Sequence, residues 1–291
     1  MHILVGTERA DIVELPAIQE ISHLGVDVEL CRLGSDTSYH ELLGLLRPDT
    51  FGILIDGPFA VDDKYKYPPK LRVVVSTEFD QTDVLARCSF TKENVNAAYD
   101  DSRAELALGL ALAVLRNIAA NDVAVRAGQW IVKPGNQLSS LSVGVFSNTS
   151  IGDQVASLLS AFSKTAEHRF IDNAIKATHT NVYDLVCIID DVGDQTLSEI
   201  AVSSLKDGGF LVDVSRFPAF PGDSLQEWVG SGRLSGAATI VGPSADIRDK
   251  SCSNILFAPT EVLQTAEALN EARMLATEKM LEAIRQEMSG N

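Results

Sequence analysis

The sequence predicts an α/β protein with two parallel-sheet units, and three observations carry that reading. Short β-branched runs alternate with stretches of helical spacing. The rhythm runs once through the first third of the chain, gives way to a long Ala- and Leu-rich helical stretch, and then restarts. In the restarted part, "SVGVFSNTSIGDQVASLLSAF" (Ser142 to Phe162) reads as a buried strand, a tight turn and a helix. That is the unit with which a doubly wound domain holds a nucleotide.

The elements follow in order. "HILVG" (His2–Gly6), "VDVELCRL" (Val26–Leu33), "FGILID" (Phe51–Asp56) and "LRVVVS" (Leu71–Ser76) predict the strands of a first sheet. Helical spacing between the first three makes a βαβ rhythm, and so a parallel sheet. "SRAELALGLALAVLRNIAANDVAVRAGQW" (Ser102–Trp130) predicts one long helix, too apolar for a solvated surface and expected to pack between domains or subunits. The second sheet is predicted from Val143–Phe146, a weak strand near Arg169–Ile171, Tyr183–Asp190, Gly209–Ser215 and Gly236–Val241. "GDSLQEWVGSG" predicts a helix with a glycine stop, and Glu261 to Met288 a charged amphipathic helix.

With 291 residues the chain has room for two cores, and 45% hydrophobic with 22% charged residues is an ordinary globular balance. A net charge of −16 argues against nucleic acid and anionic membranes as partners, because both are held by Lys and Arg. Cys31, Cys88, Cys187 and Cys252 show no CxxC spacing and predict reduced core thiols. Charges at Glu8, Arg9 and Asp11 precede any long apolar run, so no signal peptide or anchor is expected and the protein is expected to be cytoplasmic. The absence of HxxxH, CxxC or clustered carboxylates at ligand spacing predicts no metal site. Of the five histidines, His2, His23, His40 and His179 are expected in surface helices, strand starts or loops, and His168 in the second sheet.

The long helical run, the block "LSVGVFSNTSIGDQVASLLSAF", the segment "SLKDGGFLVDVSRF" and "DSLQEWVGSGRLSGAA" come in the order and spacing of the D-isomer-specific 2-hydroxyacid dehydrogenases. The chain resembles that family, most closely from Asp101 to Ala238. The resemblance implies a flavodoxin-like catalytic domain made of residues 1–97 and 266–291. It implies a central NAD(P)-binding Rossmann-type domain over 98–265, the site between the two, a homodimer, and oxidoreductase activity on a small hydroxy or keto compound.

Against G-x-G-x-x-G, the turn after the first strand of the central domain keeps only the third glycine, Gly152. Ser147 and Thr149 stand at the first two places, with Asn148 between them and Ser150 and Ile151 following. The missing glycines would permit a tight turn and a close approach of backbone to pyrophosphate. Two readings stand: the helix start still attracts an anion, with Ser147, Thr149 and Ser150 adding donors, or Thr149 or Ser150 merely caps the helix. For the ribose, Asp172 is the acidic candidate and Arg169 the candidate for a 2′-phosphate, so NAD and NADP both remain open.

The resemblance places a substrate loop on "STEFDQTD", with Thr77, Glu78 and Phe79 as its contacts, but the stretch lacks glycine and Glu78 is acidic. It places the family's substrate-binding arginine on Arg216, which is retained. It places the family's proton-transferring histidine on Thr260 and that histidine's glutamate partner on Ala245, leaving Asp246 and Glu261 as the nearest carboxylates. Three functions are carried forward. One is an NAD(P)-dependent oxidoreductase with an altered site, for which ordinary 2-hydroxyacid turnover is not expected. Another is a metabolite-binding or regulatory homologue. The third is a non-redox enzyme using Arg216 with Asp246 or Glu261.

Overall fold

The β-branched runs form two parallel sheets, one in each of two units. The computed structural model describes residues 1–33, 37–57, 66–78, 91–93, 95–130, 134–170, 181–191, 193, 195–216, 219–240 and 254–290. One unit is Met1–Tyr99 with Thr265–Asn291, and the other is Asp100–Gln264.

The first unit contains β1 (His2–Thr7), β2 (Asp27–Cys31), β3 (Thr50–Asp56), β4 (Val73–Ser76) and β5 (Thr91–Glu93) in the order β2-β1-β3-β4-β5, all parallel. That is the flavodoxin-like order. β1 is buried along its whole length, as a strand covered on both faces must be. Its helices are α1 (Pro16–His23), α2 (Tyr39–Leu45) and α8 (Ala266–Ser289). Local chemistry sets their starts. Pro16 opens α1, whose first N–H needs no partner. Ser38 and Glu41 form a capping box on α2. The Thr265 hydroxyl accepts the Ala268 N–H at the start of α8. The expected helix from Glu261 therefore begins later, and Thr260–Leu263 forms a separate 3-10 turn.

The second unit contains α3 (Asp100–Leu115), α4 (Ile118–Arg126), β6 (Ser142–Ser147), α5 (Ile151–Ser160), β7 (Thr165–Phe170), β8 (Tyr183–Ile189), α6 (Gln195–Ser203), β9 (Leu205–Asp213), α7 (Gly222–Gly230), β10 (Leu234–Thr239) and β11 (Ile255–Phe257). Its sheet runs β11-β10-β9-β8-β6-β7, again parallel. Phe146, Val186, Ile188, Leu211 and Leu225 lie at the centre of its core. In each sheet the chain reverses direction of travel beside the first strand. The crevices outside the carboxyl ends of β1/β3 and of β6/β8 are thus the switch points, where α/β sheets place their ligands.

Two further expectations need correction. The single helix over Ser102–Trp130 is two helices with a 58° bend, because Asn117 takes a left-handed φ of 51°, a conformation Asn tolerates better than most residues. His2, expected near the surface at a strand start, is fully buried and bonds Thr50 Oγ1 through Nδ1 at 2.9 Å. Among the described residues no single helix is long and apolar enough to cross a membrane. Cys31 and Cys187 are free thiols, whereas Cys88, Cys252 and His179 lie outside the described residues.

Candidate functional site

β6 delivers Ser147, fully buried, to the switch point of the second unit. The Ser147 hydroxyl accepts the Thr149 N–H at 3.1 Å and donates to the Thr149 carbonyl at 3.0 Å. A side chain therefore closes the turn that two glycines would otherwise shape. Neither Ser150 nor Thr149 caps α5 through its side chain, which corrects the capping expectation. Gly152 and Asp153 send their N–H groups to the carbonyls of Thr149 and Ser150, at 3.3 and 3.0 Å. Among the described residues, the N–H groups of Ser150 and Ile151 have no acceptor.

The side chains of the turn face carboxylates. Two aspartates, Asp190 and Asp191, follow the buried end of β8. Asn148 donates through Nδ2 to Asp190 Oδ1 at 2.8 Å and accepts the Asp191 N–H at 3.2 Å. Thr149 Oγ1 donates to Asp191 Oδ2 at 3.3 Å. From α3, Arg103 sends Nη1 to Asp191 Oδ1 at 2.6 Å and Nη2 to Oδ2 at 2.8 Å, with Asp100 Oδ1 at 3.4 Å. Arg103 is only 1% exposed, so this bidentate pair sits where a lost partner would be felt strongly.

One strand further on, Asp213 ends β9 and is fully buried. Its carboxylate accepts the Ser215 N–H at 3.0 Å and the Ala219 N–H at 2.9 Å, which bracket Arg216. The Ser215 hydroxyl in turn accepts the Asp190 N–H at 2.9 Å. Asp213 thus shapes the loop that carries Arg216, which is half-buried. Burial pushes the Asp213 carboxyl above the ordinary 3.8, against the opposing pull of the Ser215 and Ala219 bonds. Between 3.8 and that raised value, the folded chain holds a proton that the unfolded chain has released. Stability falls as pH rises through this window. Asp213→Asn keeps the size but has one acceptor oxygen for the two N–H groups and cannot ionise, so it starts from a pH-independent loss and its stability relative to the parent is expected to rise with pH across the window. Urea unfolding of both proteins at a series of pH values checks this.

The other expected residues are spread more widely. Arg169 lies within β7 and donates through Nε to the Tyr183 hydroxyl at 3.0 Å and through Nη2 to Glu167 at 2.6 Å. On the neighbouring position of β7, His168 packs against Gly152 and meets Asp153 at 2.7 Å. Thr260 is half-buried at the start of its 3-10 turn, which also includes Glu261. Asp172, Ala245, Asp246, Phe79 and the side chain of Glu261 lie outside the described residues.

The first unit has its own polar cluster, at the β1/β3 switch point. Asp56 ends β3 and accepts from the Thr7 hydroxyl at 2.8 Å, the Thr77 hydroxyl at 3.3 Å, and Arg273 Nε at 2.9 and 3.0 Å, with Arg273 Nη2 also in contact. Thr77, an expected substrate contact, is fully buried, and its carbonyl accepts the Tyr99 hydroxyl at 2.5 Å. Burial, with Glu78 and Asp56 nearby, pushes that phenol well above its usual 10. The Glu78 N–H donates to Ser76 Oγ at 3.2 Å, so the stretch after β4 begins as a hydroxyl-supported turn.

Sequence reasoning missed Arg103, Asp190, Asp191, Asp213, Asp56 and Arg273. Some were within reach: an arginine inside an apolar helical run and two aspartates at the end of a buried strand each call for a partner.

Residues 108–259 match the family described as "D-isomer specific 2-hydroxyacid dehydrogenase, NAD binding domain". A glyoxylate/hydroxypyruvate reductase from Arabidopsis thaliana is 25% identical over 276 residues, covering 85% of each chain. A hydroxypyruvate reductase from Thermotoga maritima is 26% identical over 213 residues, covering 66% of this chain and 69% of the relative. Among solved structures, a D-lactate dehydrogenase from Aquifex aeolicus, in complex with NAD and lactic acid, superposes with a TM-score of 0.69. It is 16% identical and covers 100% of this chain and 96% of its own. That match shows the shared two-domain fold, and the family match spans more than half of this chain. With the fold and an NAD-binding domain both in place, the chain belongs to the D-isomer specific 2-hydroxyacid dehydrogenases, an oxidoreductase family, as a distant member.

Proposed function

We propose that this protein holds a small hydroxy or keto acid on Arg216 and carries the ordinary NAD(P)-linked turnover of its family only weakly. The observation that carries the reading is the turn at residues 147–152, where the Asn148 side-chain amide donates to Asp190 and the Thr149 hydroxyl to Asp191. These residues do not fit a dinucleotide pyrophosphate. Thr149 puts a β-carbon where close backbone approach is needed. Asp153, in the first turn of α5, adds a negative charge to the end of the helix that should attract an anion. The N–H groups of Ser150 and Ile151 are what the turn has left to offer. At the reacting end, Thr260 takes the histidine's place, and a hydroxyl does not exchange protons near neutral pH as imidazole does. Loss of a general acid–base group costs roughly 10²–10⁴ in rate.

Arg216 supports the acid-binding half of the reading. A guanidinium gives a carboxylate a planar, two-point contact, and Asp213 holds the backbone on either side of it. The names of the relatives point to glyoxylate and hydroxypyruvate as the compounds to try first. A second reading, a metabolite-binding or regulatory protein without turnover, is favoured by the same carboxylate-bound turn. We also propose that the protein is a homodimer joined through α4, where Ile118, Val123 and Val125 are exposed and no residue is buried.

The test is calorimetric titration of the purified protein with NAD⁺, NADH, NADP⁺ and NADPH, then with glyoxylate and hydroxypyruvate, with Thr149→Gly and Arg216→Leu alongside. The expected result is no micromolar cofactor affinity in the parent, a gain in Thr149→Gly, and acid binding that Arg216→Leu abolishes. Micromolar cofactor binding with brisk reduction of either acid by the parent would overturn the proposal.

A further inference from the structure

We propose that Asp191 is a built-in anion: it fills the place of a ligand phosphate beside the turn at residues 147–152 and sets this protein against phosphate-bearing ligands. The inference rests on the reading of that turn as the cofactor's place, and it names the residue responsible for the misfit. A guanidinium fork serves carboxylate and phosphate equally well, and Arg103 spends both arms of its fork on the two oxygens of Asp191, at 2.6 and 2.8 Å. The Thr149 hydroxyl, at the position where the family's second glycine would face a pyrophosphate, donates to the same carboxylate at 3.3 Å. Asn148 fixes the carboxylate's approach by accepting the Asp191 N–H at 3.2 Å.

One buried cation and one hydroxyl therefore converge on an anion beside the N-terminus of α5, at the switch point of the sheet. This is the donor set of an anion site, with the anion supplied by the chain. Gly193, two residues on, adopts a φ of 75° and sends its N–H to Asp190 Oδ1 at 2.9 Å, so the segment bearing both aspartates is itself bent back onto its own carboxylate. A phosphate entering here would meet Asp191 as a like charge and would have to displace it from Arg103.

A simple staple between α3 and β8 would lose stability when Asp191 is removed, and no more. A built-in anion predicts that a free anion restores what was lost. Thermal unfolding of the whole protein and of Asp191→Ala is therefore compared in sodium pyrophosphate and in sodium chloride of equal ionic strength. The alanine variant is expected to unfold at a lower temperature in chloride and to recover most of the difference in pyrophosphate, while the parent does not respond. Asp191→Asn keeps an acceptor for Arg103 and removes the charge. Its affinity for pyrophosphate and for NADH, read by calorimetry, is expected to rise by at least about tenfold, as befits removal of one like charge at a partly exposed site. If Asp191→Ala fails to fold, the Asp191→Asn titration decides. Equal responses of parent and variants to pyrophosphate, or no gain in either variant, would overturn the proposal. Failure of small acids to bind the parent at Arg216 would overturn only the preceding reading, because the pyrophosphate response does not involve that residue.

Discussion

Replacing Asp56 with alanine is expected to destabilise the protein by about 3–5 kcal/mol, the usual cost of removing one partner from a buried ion pair. Asp56 is 9% exposed and Arg273 is 7% exposed, so neither charge has water to fall back on. The carboxylate takes hydrogen bonds from Thr7, Thr77 and Arg273, and it ties the ends of β1, β3 and β4 to α8. Asp11, the other acidic partner of Arg273, stands at 3.3 Å and is half exposed, too weak a contact to compensate. The cost is therefore that of a stranded guanidinium with two hydroxyls turned toward an empty place. Arg273→Ala should cost a similar amount by stranding the carboxylate. Joint replacement by Leu and Met is expected to recover much of the loss, since an apolar pair of similar volume often equals a buried salt bridge. Arg9→Ala, which breaks the exposed contact with Asp11, should change stability by less than about 1 kcal/mol. Urea unfolding of the four variants separates these cases. A loss for Asp56→Ala no larger than that for Arg9→Ala would show that the cluster is solvated in solution.

The same cluster shows what the sequence could reveal. The strands were legible because a parallel sheet covered on both faces needs near-continuous apolar runs, and "FGILID" and "YDLVCIID" supply them. Family resemblance and turn shape were legible together at residues 142–162, because strand, turn and helix are contiguous there. Asp56 and Arg273 were not legible, since they stand 217 residues apart and only the folded sheet brings them together. Arg103 and Asp191 are 88 residues apart and were hidden for the same reason. The break after α3 was missed because apolar periodicity continues through Asn117 and says nothing of one left-handed residue. The hydroxyl turn differs from the glycine pattern in residue type, which sequence displays directly, but its partners were not legible, because those partners come from β8 and α3. Both switch points share one design: a threonine at or just past the end of the first strand, an aspartate at or just past the end of another, and an arginine from a helix closing on it.

Gly152→Ala is expected to cost about 1–3 kcal/mol, although alanine is the better helix former and the site is the second residue of α5. An added β-carbon would lie 2.2 Å from His168 Nε2, 2.5 Å from Cδ2 and 2.6 Å from the β-carbon of Ser147. Neither neighbour can retreat cheaply. The imidazole is held by its 2.7 Å contact with Asp153, and Ser147 is fixed by the hydrogen bonds that close the turn. The helix start must shift away from β7, and the turn at residues 147–152 shifts with it. Gly109 is the control: it is exposed within α3, and an added β-carbon there meets nothing within 4 Å. Gly109→Ala is expected to stabilise by up to about 1 kcal/mol through helix propensity alone. Opposite signs for one chemical change in two helices, read by thermal unfolding, would establish that Gly152 is retained for helix–strand packing. A neutral or stabilising Gly152→Ala would mean that His168 moves freely, and the close packing of α5 on β7 would have to be redrawn.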